Sequence, residues 1–365
     1  MTTTRRVVLG AALALAALAA AAGPAAAAGK SNLYTSTNGA SGNQVLAFDR
    51  AGDGSLNPAG TFATGGNGTG GGLGNQGALA LTRAGRFLYV VNAGSDSIST
   101  FAVHRGRLHL QETTSSGGDQ PVSLAVRRGL LYALNAGSGT ISGLRVTHNG
   151  ALTPLSGSTE PISGSDPAQV EFSNAGDVLV VTNKATNTID TFTVDADGRP
   201  GPAQPQPSEG DTPFGFEFDR RGHLIVSEAF GGAPGASTVS SYSLSSGGLL
   251  STISASVPDH EAAACWIAIT KNGRFAYTTN TGSGSISSYT IAGDGSLGLL
   301  EQVAAATGAG SGPTDLAQSA SSRVLLALLP GTGSVASYRV GGDGGLTPVD
   351  QVGGVPASAT GLAAR

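Results

Sequence analysis

The chain has 365 residues, of which 57 are glycine, 12% are charged and 5% are aromatic, and its formal net charge is −4. That balance is too apolar for a disordered chain and carries no basic excess of the kind that binds nucleic acid. Cys265 is the single cysteine, so no intrachain disulfide can form, and packing and closure must hold the fold together.

Residues 1–28 read as an export signal: Arg5-Arg6, an Ala/Leu run, then Pro24 and Ala26-Ala27-Ala28. The paired arginines resemble a twin-arginine signal, with an ordinary secretory signal as the other reading. Its removal takes away two positive charges and no acid, so −4 becomes −6. The mature chain, residues 29–365, is expected outside the cytoplasm as one monomeric domain. It would have no integral membrane span once the signal is gone.

From residue 32 onward one pattern returns seven times. Apolar runs begin at Asn32, Phe87, Leu130, Val178, His223, Phe275 and Val324, spaced 43 to 55 residues apart. A turn often holding Asn and Gly follows most of them, as in Asn92-Ala-Gly-Ser and Asn280-Thr-Gly-Ser. Next comes an alternating strand such as Ile98-Ser-Thr-Phe or Ile286-Ser-Ser-Tyr, and then a hairpin turn such as Asp53-Gly54 or Asp294-Gly295. The period and the tight turns predict four-stranded blades and an all-β, seven-bladed β-propeller. A β-sandwich would not explain seven matched units.

The first strand of each unit is expected to start at Gln76, Pro121, Pro167, Pro213, Cys265, Pro313 and Pro356. The last has no second strand after it, and Asn32 has no first strand before it. Residues 356–365 are therefore expected to supply the inner strand of the N-terminal blade and close the ring. Two insertions, Gly65–Gly74 and Glu228–Gly235, are expected as loops over one face. Within the first, Gly66-x-Gly68-x-x-Gly71 has the spacing of a dinucleotide fingerprint but no following helix, and reads as a mobile loop. No Gly-x-Ser-x-Gly elbow is present, and the five histidines lack zinc spacing, so no metal or cofactor is expected.

Inner strands converge on the axis, where small residues fit. Ala78/Ala80 and Ser123/Ala125 follow that rule. Units four and five break it, with Glu171 and Glu217 where the others have alanine. Gln169 and Trp266 are large at the other inward step, and Asp315 is charged there. Two carboxylates on adjacent inner strands raise one another's pKa, the condition for a general acid or base near neutrality. The blander reading gives each glutamate a wet channel or a donor such as Gln169. Glu228 replaces the turn asparagine, and His260-Glu261 precedes the sixth inner strand. Asp211 precedes the fifth, where a turn role is the simpler account. Glu171, Glu217, His260 and Glu228 are the catalytic candidates. Gln169, Trp266, Glu261, Asp211 and Asp315 are the candidates for substrate binding.

Gly-Arg-Phe-Leu-Tyr-Val-x-Asn at 85–92, with Ser-Ile-Ser-x-Phe/Tyr and Asp-Gly-x-Leu after it, resembles the propeller lactonases, relatives of 6-phosphogluconolactonases and 3-carboxymuconate cyclases. Lys271-Asn-Gly-Arg-Phe-Ala-Tyr277 and Ile286-Ser-Ser-Tyr289 carry the same look. The resemblance implies hydrolysis or formation of a small lactone. The chain lacks an Asp-Leu-Gly-x-Asp stretch, and few arginines fall near the expected mouth, which argues against a phosphorylated sugar acid. Tyr89-Val90-Val91-Asn92 also looks like the Tyr-Val-Thr-Asn repeats of extracellular propellers. Those imply the other function class, recognition of an extracellular ligand without chemistry.

Overall fold

The computed structural model describes residues 31–365, and the predicted signal at 1–28 lies outside the described residues. Seven antiparallel sheets make up the molecule, six of four strands and one of five. Blades 2 to 7 begin at residues 79, 121, 167, 213, 264 and 316, and each runs from its inner strand outward in chain order. Blade 1 is the exception: Thr360–Ala364 pairs with Ser31–Ser36 and supplies its inner strand, so the two ends of the chain close the ring. The inner strands of blades 2, 7 and 1 start three or four residues later than expected, at Leu79, Leu316 and Thr360, and the first two are only three residues long.

Each second strand is apolar because both its faces are covered by neighbouring blades. Val178–Asn183 and Phe275–Asn280 are buried along their whole length. The outermost strands are half wet and carry polar residues at alternate positions, as in Leu250–Pro258. Gly54, Gly106, Gly150, Gly198, Gly248, Gly295 and Gly344 all sit at positive φ in the hairpins between third and fourth strands, which explains the repeated Asp/Asn-Gly. Four tyrosines latch blades together by donating to a hairpin carbonyl of the next blade: Tyr34 to Gly106, Tyr89 to Gly150, Tyr132 to Gly198 and Tyr277 to Gly344. Burial pushes the Tyr89 phenol above its ordinary range, so it stays a neutral donor.

The repeated asparagine braces the turn through its side chain. Asn92 ends its strand, and its amide donates to Ser97 and Ser99 on the third strand. Asn280 does the same with Ser285 and Ser287. The left-handed position belongs to Asp96 and Gly284 further along the turn.

The topology gives the ring two unlike faces. The upper face carries the second-to-third turns and the connections between blades. The lower face carries the two hairpins of each of blades 2 to 7 and the single hairpin between the third and fourth strands of blade 1. Every inner strand therefore runs from the upper face to the lower.

Candidate active site

Strand register sorts the inner strands into layers. Opposite equivalent positions of the second strands stand Ala80, Ala125, Glu171, Glu217, Ala268, Ala317 and Ala363. One layer of the ring is thus five alanines and two adjacent glutamates. Two residues nearer the upper face lie Ala78, Ser123, Gln169, Gly215, Trp266, Asp315 and Gly361.

The channel is filled at this second layer by the segment 74–77, which ends the glycine-rich insertion. The Gln76 side-chain amide donates to the Ile267 carbonyl at 3.0 Å and accepts from the Ile267 N–H at 3.1 Å, reaching blade 6. The Gln76 N–H donates to Ala168 in blade 4, and the Gly77 carbonyl accepts from Leu124 in blade 3. Asn75 accepts from Thr360 Oγ1 of blade 1 and from Trp266 Nε1, and donates to the Val122 carbonyl. Lys184 Nζ donates to Gly74 and pairs with Asp166 at 3.2 Å. The insertion expected to be a mobile loop over the face is therefore tied at its end to blades 1, 3, 4 and 6. Gly215 makes room for it, since a Cβ there would stand 2.1 Å from Gln76 Oε1.

Below this plug the channel opens into a chamber. Two overlapping cavities of about 260 and 370 Å³ are both lined by Gln76, Gln169, Glu171, Glu217, Leu316 and Leu362. Asp315 lines the second, and Lys271 lies at the edge of the first. The two glutamates lean on different strands. Glu217 accepts from the Ile269 N–H in blade 6, and Glu171 from the N–H of Phe172 beside it. Each is open to the lumen yet walled by protein, so desolvation dominates. Burial lifts Glu171 to about 7. Burial, and then the nearby charge of Glu171, lift Glu217 to about 8 against the opposing Ile269 bond. Burial likewise holds Asp315 near 8. Three carboxyl groups around one chamber thus titrate in the neutral range. Among the described residues no three of His, Cys, Asp and Glu converge on a metal site.

The sequence candidates divide by place. Glu171, Glu217 and Asp315 come together at the chamber. Gln169 lines it, but both ends of its amide are taken by the Phe216 backbone in blade 5, at 2.7 and 2.9 Å. Trp266 is 5% exposed and packs on Phe214 at 4.9 Å, so its ring and Nε1 help seal the plug. Glu228, fully buried, takes the asparagine's place in blade 5: it accepts from Thr238, Ser240 and the Gly210 N–H. Glu261 accepts from Ser285 and Gln302, and Asp211 from Asn187. His260 is exposed on the upper face with φ of 63°. The inner strand that follows it, Ala264–Ile269, spans roughly 20 Å before the chamber's edge at Lys271. The expected meeting of Glu228 and His260 with the two glutamates does not occur, because they stand at the upper end and the glutamates lie toward the lower.

Three residues emerge only here. Gln76 marked the start of a strand in the sequence but serves as the plug. Lys271 lies in a hairpin. Gln318 lines the chamber with both amide atoms buried and without a hydrogen-bond partner among the described residues. It occupies the position of Phe172 and Phe218, opposite Leu325 as they are opposite Leu179 and Leu224. A polar residue at an otherwise apolar step was the available signal.

A family described as "Lactonase, 7-bladed beta-propeller" matches residues 27–164, 156–229 and 229–323. No curated protein matches the sequence. Among solved structures, a Bacteroides uniformis protein assigned as a 6-phosphogluconolactonase is 18% identical over 91% of this chain and 99% of its own, with a TM-score of 0.73. The periplasmic gluconolactonase PpgL of Pseudomonas aeruginosa is 19% identical over 92% and 99%, with a TM-score of 0.70. At such identities these structures speak for the fold, while the family match spans most of the sequence. The chain belongs to the seven-bladed β-propeller lactonase family.

Proposed function

We propose that the protein hydrolyses a small lactone in the chamber below the plug, with Glu171 and Glu217 as a general acid–base pair. The observation that carries this reading is the register layer of five alanines and two neighbouring glutamates facing one cavity. Support comes from the family and from the similarity to a periplasmic gluconolactonase.

The chemistry needs one ionised and one protonated carboxyl group, and the pair provides both near neutrality. The carboxylate takes a proton from water as its oxygen bonds to the lactone carbonyl carbon. The tetrahedral intermediate then collapses, the ring C–O bond breaks, and the protonated partner delivers a proton to the departing alkoxide. The product is an open-chain hydroxy acid. The acidic lining suits an uncharged lactone, since an anionic one would meet Glu171, Glu217 and Asp315 in a low dielectric. The export-signal features of residues 1–28 support action outside the cytoplasm.

Turnover of a panel of uncharged five- and six-membered lactones, followed by pH-stat, tests the proposal. Glu171→Gln and Glu217→Gln are each expected to lower kcat/KM by at least about 100-fold, the lower end of what general acid–base catalysis contributes. Equal rates in all three proteins, or ligand binding without turnover, would overturn it; the latter outcome would identify a recognition module.

A further inference from the structure

The largest of the cavities described here, about 590 Å³, has no carboxylate dyad. It lies on the lower face, between the first hairpins of blades 6 and 7, the third strand of blade 7 and the outer hairpin of blade 1. Lys271, Arg323 and Arg339 line it, each from a different segment, together with Ser321 and Ser322. Asp53 is the one acidic residue in the lining; its Oδ1 accepts from the Ser55 N–H and hydroxyl at 3.0 and 2.8 Å, and these bonds, with the Arg339 charge as a smaller contribution, hold its carboxyl below the ordinary range. Among the described residues no carboxylate lies within 4.0 Å of any of the three cations. Lys271 Nζ donates to the Ala320 carbonyl at 2.6 Å, and among the described residues the two guanidinium groups have no hydrogen-bond partner.

A second groove of the same construction shows that this is no general property of the lower face. Between blades 3 and 4, Arg127, Arg128 and Arg145 line a cavity of about 410 Å³. There Asp177, Asp195 and Asp197 stand among them, and Arg145 and Arg127 donate to the carbonyls of Asp197 and Asn174. That groove is balanced. The one between blades 6, 7 and 1 gathers three cations in a chain of net acidic charge against a single lining carboxylate, Asp53, so an excess of positive charge remains. Like charges held in a concave site raise the local potential, and an anion that bridges them relieves it. Planar guanidinium groups favour oxyanions that accept two hydrogen bonds at once.

We infer that the groove between blades 6, 7 and 1 is a binding site for a small oligoanion bearing phosphate or carboxylate groups. Its volume suits a small molecule, and three cations from three segments call for more than one negative group. It stands on Arg323 and Arg339, which do not line the chamber, while Lys271 borders both sites.

Titration calorimetry of the purified protein with pyrophosphate and with citrate, and sorbitol as the uncharged control, tests it. At least one of the two anions is expected to bind and sorbitol not to. The tighter of the two anions assigns the site to phosphate or to carboxylate. Arg323→Ser and Arg339→Ser are each expected to weaken that binding by about tenfold or more, while Arg145→Ser in the balanced groove leaves it unchanged. On the unaltered protein, raising the salt to about 0.3 M is expected to weaken binding without any substitution. Absence of binding by both anions, binding that ignores salt, or binding that survives in both groove variants would each overturn the inference.

Discussion

The upper and lower halves of one channel have opposite fates here. In the upper half, polar side chains are spent on backbone: Gln76 on Ile267, Trp266 on Asn75, Lys184 on Gly74. In the lower half, Glu171 and Glu217 face open volume with too few donors to keep them ionised at their ordinary pKa, and Asp315 stands at the border with the plug. The inner edge of every blade presents unpaired backbone N–H and C=O groups to the axis, and something must meet them. Above, the plug meets those of Ile267, Ala168, Leu124 and Val122. Below, Glu217 meets one at Ile269 and Glu171 one at Phe172, and the second oxygen of each glutamate is left for a substrate. A polar residue on an inner strand is therefore no sign of a site until its bonds have been followed.

The largest expected effect lies in the lower half. Glu171→Gln/Glu217→Gln together should cost no more in kcat/KM than the worse single variant, because the pair acts as a unit. The parent's kcat/KM should peak between about pH 7 and 8, where one group of the pair is protonated and the other ionised. Strict additivity, or a flat pH profile, would show that the two glutamates do not share one reaction.

In the upper half the effect should fall on stability. Gln76→Ala removes both bonds to Ile267 and leaves a backbone N–H and C=O unmet, at a cost of about 1–3 kcal/mol in thermal or urea unfolding. An unchanged midpoint would mean that the plug does not brace the ring.

The pH dependence of unfolding follows from the raised carboxyl groups. Their folded pKa values of about 7 to 8 lie above the ordinary values of 4.5 and 3.8, so the folded state holds protons that the unfolded chain releases. Their contribution is fully present below about pH 4 and is lost as pH rises through 7 to 8. Melting temperature should fall from pH 5 to pH 9, and Glu217→Gln should melt above the parent at pH 8. A variant curve parallel to the parent's would remove the basis for a raised Glu217.

Two smaller effects complete the contrast. Gln318→Leu restores the apolar residue of the other blades and removes two buried polar atoms without hydrogen-bond partners among the described residues, so it should hold or raise stability. His260→Ala, exposed at the far end, should leave both rate and stability within about 0.5 kcal/mol of the parent.

Much of the fold was legible because it rests on local chemistry repeated seven times. Apolar second strands, Asp/Asn-Gly hairpins and the matching deficits at the two ends require seven blades and a closing strand, and the departures at Glu171 and Glu217 stand out against five alanines. The destinations of side chains were not legible. Whether Gln169 faces substrate or the Phe216 backbone, whether Glu228 joins the glutamates or replaces an asparagine, and whether a glycine tract waves over a face or stops a channel all depend on contacts far apart in sequence. Gln76 and Ile267 are 191 residues apart, and no periodicity brings them together. Local propensity decides strands and turns, because those are set within a few bonds of the residue. Convergence at the axis is decided only when seven blades have closed around it.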